Sequence, residues 1–241
     1  MKVIHLLLII ILILAVLLGF KVINSNKETN IIKKEDKIKT NNEKIDLEEI
    51  KELINKSENI KNYYLTTNAD KDTEIKYKDG KFVFKKNNSK IFIDYNDNTD
   101  KAIIITEDNK TATKINKENF AKIDTIKSSK ENLYLLINNY EKYKINENGE
   151  EIFNGYKCIS LKVFYKYYAG KGWLDEELKQ YNGKTIETTV LIDKETGIIM
   201  KITSKIENKE TTNEYYYKFN CVTEKDVTIP DLSQYKIEEL N

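Results

Sequence analysis

Nucleophilic and metal-assisted catalysis both need side chains that this sequence scarcely contains. The single histidine, His5, lies inside an N-terminal apolar run, so the rest of the 241-residue chain has no imidazole. That removes Ser-His-Asp and Cys-His pairs and histidine metal sites, and two cysteines, Cys158 and Cys221, cannot build a structural zinc site. Carboxylates remain. Asp175, Glu176 and Glu177 are adjacent on a short helical stretch and point in different directions, which makes a solvated face. Asp94, Asp97 and Asp100 lack the glycine and terminal glutamate of an EF-hand loop and read as a hairpin turn. There is no glycine-rich phosphate-cradling loop, and no catalytic residue, metal or cofactor is expected.

Charge narrows the partners further. All 40 basic residues are lysines, set against 39 acids. Lys2 and Lys21 are the only charged side chains before Asn24, so the chain beyond is close to neutral. A near-neutral domain without arginine is a poor binder of a phosphate backbone, because such binding draws on counterions released by clustered cations. Nucleic acid is not an expected partner.

Membrane is. Val3 to Ile23 reads VIHLLLIIILILAVLLGFKVI, and a helix of that length extends about 31 Å, enough to cross a bilayer core. Lys2 and Lys21 can snorkel to the two interfaces. A small-x-small cleavage site is poorly met around Ile23 and Ser25, and no cysteine follows the run, so residues 1–23 read as an uncleaved single-span anchor. The lysines after the span would by themselves favour a cytoplasmic domain. Acids are interspersed among them, however, and short N-terminal segments of this kind export the polypeptide C-terminal to them. The bulk of the chain is therefore expected outside the cell membrane. Residues 24–45 carry many charges and few apolar groups, too few to offset chain entropy, and read as a flexible linker.

The remaining residues, 46–241, are patterned as one domain. Asp46 and Glu49 stand at capping-box spacing before an apolar stripe of Leu47, Ile50, Leu53, Ile54 and Ile60, which predicts a helix. From about Thr73 the period falls to two, in TEIKYK, KFVFKK, KIFIDY, KAIIIT and TATKI, separated by Asp-Gly, Asn-Asn and Asp-Asn turns. A second helix is expected from about Lys130 to Tyr140 and a third at WLDEELKQY. Strands resume between them and continue to about Val222. The alternation places Ile75 with Tyr77, Phe82 with Phe84, Ile91 with Ile93, Leu161 with Val163, Met200 with Ile202, and Tyr217 with Phe219 on one face of their strands. Opposite positions are mostly Lys, Asp, Asn and Thr, as on a solvated face.

The wording of Val190 to Ile237 resembles the C-terminal half of the LolA-like superfamily of lipoprotein carriers. It has a strand ending in an acidic turn (IDKETG), a strand with an apolar start, a long aromatic-rich strand, and a closing IPD-L-x-x-Y tail. NGYKCISLKV resembles the mid-chain strand after an Asn-Gly turn, so the resemblance is carried mainly by residues 154–237. It implies an α+β fold: a strongly curved antiparallel half-barrel of about eleven strands, with about three helices across its concave side.

Two readings of the apolar face stay open. The paired residues named above form the sheet–helix core, or they line a gap that takes an acyl chain, lipid or lipoprotein-like apolar ligand. Each buried methylene would contribute ~0.8 kcal/mol to such binding. The alternative function is an envelope scaffold that meets a protein partner through a strand edge or a tyrosine-rich face; sixteen tyrosines include Tyr63-Tyr64, Tyr167-Tyr168 and Tyr215-Tyr216-Tyr217. Cys158 and Cys221 are expected on opposite faces as free thiols. Binding without catalysis is the expected activity.

Overall fold

A computed structural model of the protein describes residues 47–117, 125–138, 146–166 and 182–240. The expected N-terminal span and linker, and the helix expected at WLDEELKQY, lie outside the described residues. Among the described residues, no helix is long and apolar enough to cross a membrane.

Turn chemistry sets the ladder of strands. Asp79 and Gly80 (φ 45° and 86°) and Asn154 and Gly155 (φ 49° and 83°) adopt successive left-handed conformations, the geometry that lets a two-residue loop follow strand twist. The first half of the sheet comprises β1 (Asn62–Thr67), β2 (Thr73–Lys78), β3 (Lys81–Lys86), β4 (Ser89–Asp94), β5 (Lys101–Thr106) and β6 (Thr111–Asn116). The second half comprises β7 (Asn146–Phe153), β8 (Tyr156–Lys166), β9 (Thr185–Asp193), β10 (Ile199–Ile206) and β11 (Lys209–Phe219), and β12 (Lys236–Glu239) closes the chain. Among the described residues these twelve strands make one open, curved sheet in the order β12-β6-β5-β4-β3-β2-β1-β11-β10-β9-β8-β7. Every neighbouring pair is antiparallel except β12 with β6, which is parallel.

Two strands go beyond the sequence expectation. β1 follows too closely on the preceding helix for its short alternation to stand out, yet it joins the halves, pairing β2 on one side and β11 on the other. β12 is a charged four-residue tail with no apolar period. Backbone bonds from Lys236 N–H to Lys110 O (2.8 Å) and Leu240 N–H to Lys114 O (2.9 Å) hold it.

Three helices accompany the sheet among the described residues: α1 (Leu47–Asn55), which runs on into a 3₁₀ turn at Lys56–Asn59, α2 (Thr125–Asn138) and α3 (Glu224–Val227). Ile50, Leu53 and Ile54 of α1 and Leu133 and Ile137 of α2 pack on Ile159, Leu161, Val163, Val190, Ile192 and Ile199. Each such side chain withdrawn from water stabilises the fold by ~1.5–3 kcal/mol. Polar contacts tie the two helices together, with the Tyr134 hydroxyl donating to Asn55 Oδ1 and Lys130 paired with Glu58. The β9–β10 turn comes up against α1: a Cβ added at Gly197 (φ +71°) would lie 2.0 Å from the Leu53 carbonyl oxygen.

The outer face departs from the solvated surface expected from alternation. Val83, Phe92, Ile105 and Ala112 point away from the inner core and are buried under Val222 and Val227, with Tyr64, Ile103, Leu232 and Tyr235 packed alongside. The chain after β11 is stitched to this face. Asn62 Nδ2 donates to Val222 O (2.7 Å), and Val222 N–H returns a bond to Asn62 Oδ1 (2.9 Å). Thr223 caps α3 through Asp226, whose carboxylate also accepts from Lys76 Nζ at 2.6 Å. Lys76 and then Thr223 hold the Asp226 carboxyl well below the ordinary range.

Candidate ligand-binding face

Cross-strand register builds the inner face from two rows. One runs Phe219, Tyr63, Tyr77, Phe82 and Ile93 across β11, β1, β2, β3 and β4. The next runs Tyr217, Leu65, Ile75, Phe84, Ile91 and Ile104 and extends to β5. The first row is aromatic except at Ile93, because β11, β1, β2 and β3 each put a ring near a turn or strand end; the second is mostly aliphatic. Directly opposed side chains on one face are in packing contact, so the rows form continuous apolar stripes.

The aromatic row continues at both ends. Ring centroids are 5.7 Å apart for Tyr95 and Phe82, 4.5 Å for Phe82 and Tyr77, and 5.1 Å for Tyr77 and Tyr63. From Tyr63 the series passes to Tyr217 (5.7 Å), Phe219 (5.7 Å) and Tyr156 (5.9 Å). Tyr95 is 41% exposed whereas Tyr63 and Tyr217 are at 0% and 2%, so the series leads from the surface into the core. Tyr and Phe bury large areas, and tyrosine adds a polar end at a wet boundary. Single strands display their alternation but not their ring contacts. Tyr63, Tyr95 and Tyr156 therefore escape a reading of the sequence, with the Tyr63-Tyr64 pair as its nearest signal.

The structure divides the twelve residues proposed from sequence between two apolar clusters. Ile75, Phe82, Phe84, Ile91, Ile93, Met200 and Tyr217 are buried in the larger one, with Tyr77 and Phe219 partly buried against it. Leu161 and Val163 belong to the helix-covered cluster, and Ile202 packs on its margin. Met200 and Ile202 part company at a bulge: Ile199 pairs Ile192, but Lys201 pairs Leu191, which removes Met200 from simple alternation. Nine of the twelve are at most 5% exposed, so the face is closed in this structure.

Two ionisable groups reflect how dry this interior is. Burial pushes the Tyr215 hydroxyl up to about 12. Burial, aided by the nearby Asp193 charge, pushes the Cys158 thiol up to about 11. Both cysteines are free; Cys158 is buried, and Cys221 is exposed just beyond β11. The adjacent tyrosines alternate: Tyr63, Tyr215 and Tyr217 serve the inner core, while Tyr64 packs outside and Tyr216 stacks on Phe153 at 5.9 Å. Among the described residues, no group of three His, Cys, Asp or Glu side chains is placed to hold a metal ion. The arrangement can exclude water and pack against hydrocarbon.

No protein-family model matches the chain, and no curated protein matches it. Among solved structures the chain is similar to the lipoprotein LppX of Mycobacterium tuberculosis, at 10% identity over 73% of this chain and 96% of that one, with a TM-score of 0.39. It is also similar to LprF of Mycobacterium bovis, at 7% identity over 77% of this chain and 97% of that one, with a TM-score of 0.41. A LolA superfamily protein of Nitrosomonas europaea matches at 8% identity over 75% of this chain and 97% of that one, with a TM-score of 0.24. The superfamily named from sequence is thus represented among the matching structures.

Proposed function

We propose that the chain is a membrane-anchored, extracytoplasmic binding protein that takes a lipid or the acyl chain of a lipoprotein against its inner sheet face, without catalysis. Residues 1–23 are the anchor and 24–45 the tether in this reading, and 46–241 the binding domain. The observation that carries it is the aromatic series running inward from exposed Tyr95 to buried Tyr217, beside the aliphatic row of Leu65, Ile75, Phe84 and Ile91. A hydrocarbon chain entering along that series exchanges water for rings and then for methyl groups. Eight to ten methylenes would contribute about 7 kcal/mol, from which the separation of sheet and covering segments is subtracted.

Native mass spectrometry of the full chain, extracted from membranes in mild detergent, tests this. A retained lipid or acyl adduct is expected, and replacing Tyr77 and Phe82 by alanine together should diminish it. Consistently adduct-free protein would refute the reading.

A second reading, binding of an envelope protein partner, has its own observation. Ile152 is 76% exposed on β7, and among the described residues β7 is the last strand of the sheet on that side. An unpaired strand edge of that kind can accept an added strand. Ile152→Lys should abolish a specific crosslink through this edge and leave lipid retention unchanged.

A further inference from the structure

The outer face carries a cavity that the inner-face reading does not use. It has a volume of about 540 Å³ and lies between the outer side of β2, β3 and β4 and the segment from Thr223 to Pro230. That is within the ~300–1,000 Å³ of ordinary small-ligand sites. Its charged lining is four lysines and two acids: Lys76, Lys85, Lys90, Lys225, Glu74 and Asp226.

Ion pairing there is uneven. Lys85 Nζ donates to Glu74 at 2.6 Å, and Lys76 Nζ donates to Asp226 at 2.6 Å. Both acids are thereby committed. Among the described residues, neither the Lys90 nor the Lys225 ammonium group has a hydrogen-bond or ion-pair partner, and the carboxylate within electrostatic reach of Lys90 is Glu107. The two threonine hydroxyls at the cavity are also spent, Thr223 on Asp226 and Thr228 on the Glu224 carbonyl. Two cations are left to a ligand, beside the buried side chains of Val83 and Phe92 and the ring of Pro230. In a chain that is otherwise balanced in charge, this local excess over an apolar base is a specific feature.

We infer that this outer groove is a second binding site, for a phosphate group carried on an organic ester, held between Lys90 and Lys225. Two ammonium groups match the charge of a phosphate better than that of a single carboxylate. Ammonium is a point charge with rotatable donors, the form in which lysine ordinarily binds phosphate. The apolar base accommodates the ester side. The phosphate comes from an anionic phospholipid headgroup or from a soluble phosphate ester. The site stands independently of whether the inner face takes an acyl chain.

Lysine acetylation footprinting of the full chain in phosphatidylcholine nanodiscs tests it, at matched ionic strength so that general screening is held constant. Saturating inorganic phosphate or glycerol phosphate should slow acetylation of Lys90 and Lys225 at least about fivefold and leave exposed Lys209 unaffected. In Lys225→Gln, the concentration that half-protects Lys90 should rise about tenfold. Glu74→Gln frees Lys85 and should lower that concentration by about threefold. Protection by phosphatidylglycerol nanodiscs but not by the soluble anions supports the site with a headgroup as its source; the reverse supports it with a soluble ester. No protection by any of them, equal slowing at Lys209, or a Lys225→Gln protein that protects Lys90 as well as the parent does, would overturn it.

Discussion

Gly197→Ala probes the seat of the helical cover on the sheet. Gly197 sits at φ +71° in the β9–β10 turn, where its N–H donates to Asp193 O at 2.8 Å. An alanine there incurs the left-handed penalty of ~1–2 kcal/mol. Its Cβ would also lie 2.0 Å from Leu53 O, 2.9 Å from Leu53 C and 3.1 Å from Ile54 Cα, all backbone atoms of α1. Reaching ordinary contact requires α1 or the turn to withdraw by ~1.5 Å. Leu53 and Ile54 belong to the helix-covered cluster, so the withdrawal loosens that cluster and adds ~1–3 kcal/mol. Gly155→Ala supplies the control: its φ is +83° and nothing lies within 4 Å of the added methyl, so only the backbone penalty applies. Calorimetry should show Tm falling by about 2–8 °C for Gly155→Ala and about 4–20 °C for Gly197→Ala, with the second variant the lower of the two. Amide exchange should accelerate in α1 in the second variant alone. Equal shifts for the two, with α1 unaltered, would refute the close seating of the helix.

Two further perturbations address the interior and the outer cover. The Cys158 thiol ionises near 9.0 when unfolded but only at about 11 in the fold, so its contribution is complete below pH 9 and is lost as pH rises towards 11. Urea midpoints at about pH 8 and about pH 10.5 should therefore fall less steeply in Cys158→Ala than in the parent, and parallel slopes would contradict the dry placement of the thiol. On the other face, Val227→Asp puts a charge among Val83, Phe92 and Ile105 and should cost ~2–4 kcal/mol, read from the urea midpoint; a change within error would mean that this face is solvated after all.

Side-chain periodicity made much of the strand framework readable. TEIKYK, KFVFKK and KAIIIT fold as strands over the residues their alternation marks, because a six-residue run with one apolar side has few other ways to bury it. The same runs held a second message. Phe82-Val83-Phe84, Ile91-Phe92-Ile93 and Ile103-Ile104-Ile105 are apolar at three consecutive positions, which demands cover on both faces of the sheet. The flanking lysines mark the solvated positions and mask the outward burial of Val83 and Phe92. The closing IPD-L-x-x-Y wording in fact contributes Leu232 and Tyr235 to that outer cover.

Other features are not local at all. The bulge that separates Met200 from Ile202 is a mismatch between two strands and leaves no mark on either one. β12 is selected by the backbone edge of β6, and the helix expected from Lys130 begins at Thr125. Ring contacts between Tyr95, Phe82 and Tyr77 bring together residues from either side of two hairpins, which only the register could reveal.

Because inner and outer residues alternate within single strands, the location of a bound chain can be read with unusual directness. A fatty acid carrying a nitroxide near its methyl end would be added to the full chain in nanodiscs, with the Phe rings and the Ile and Val methyls isotopically labelled. Binding at the inner face predicts stronger broadening of Phe82, Phe84, Ile91 and Ile93 than of their sequence neighbours Val83 and Phe92 and of Ile105. Stronger broadening of Val83, Phe92 and Ile105, or none at any of the seven, would contradict it.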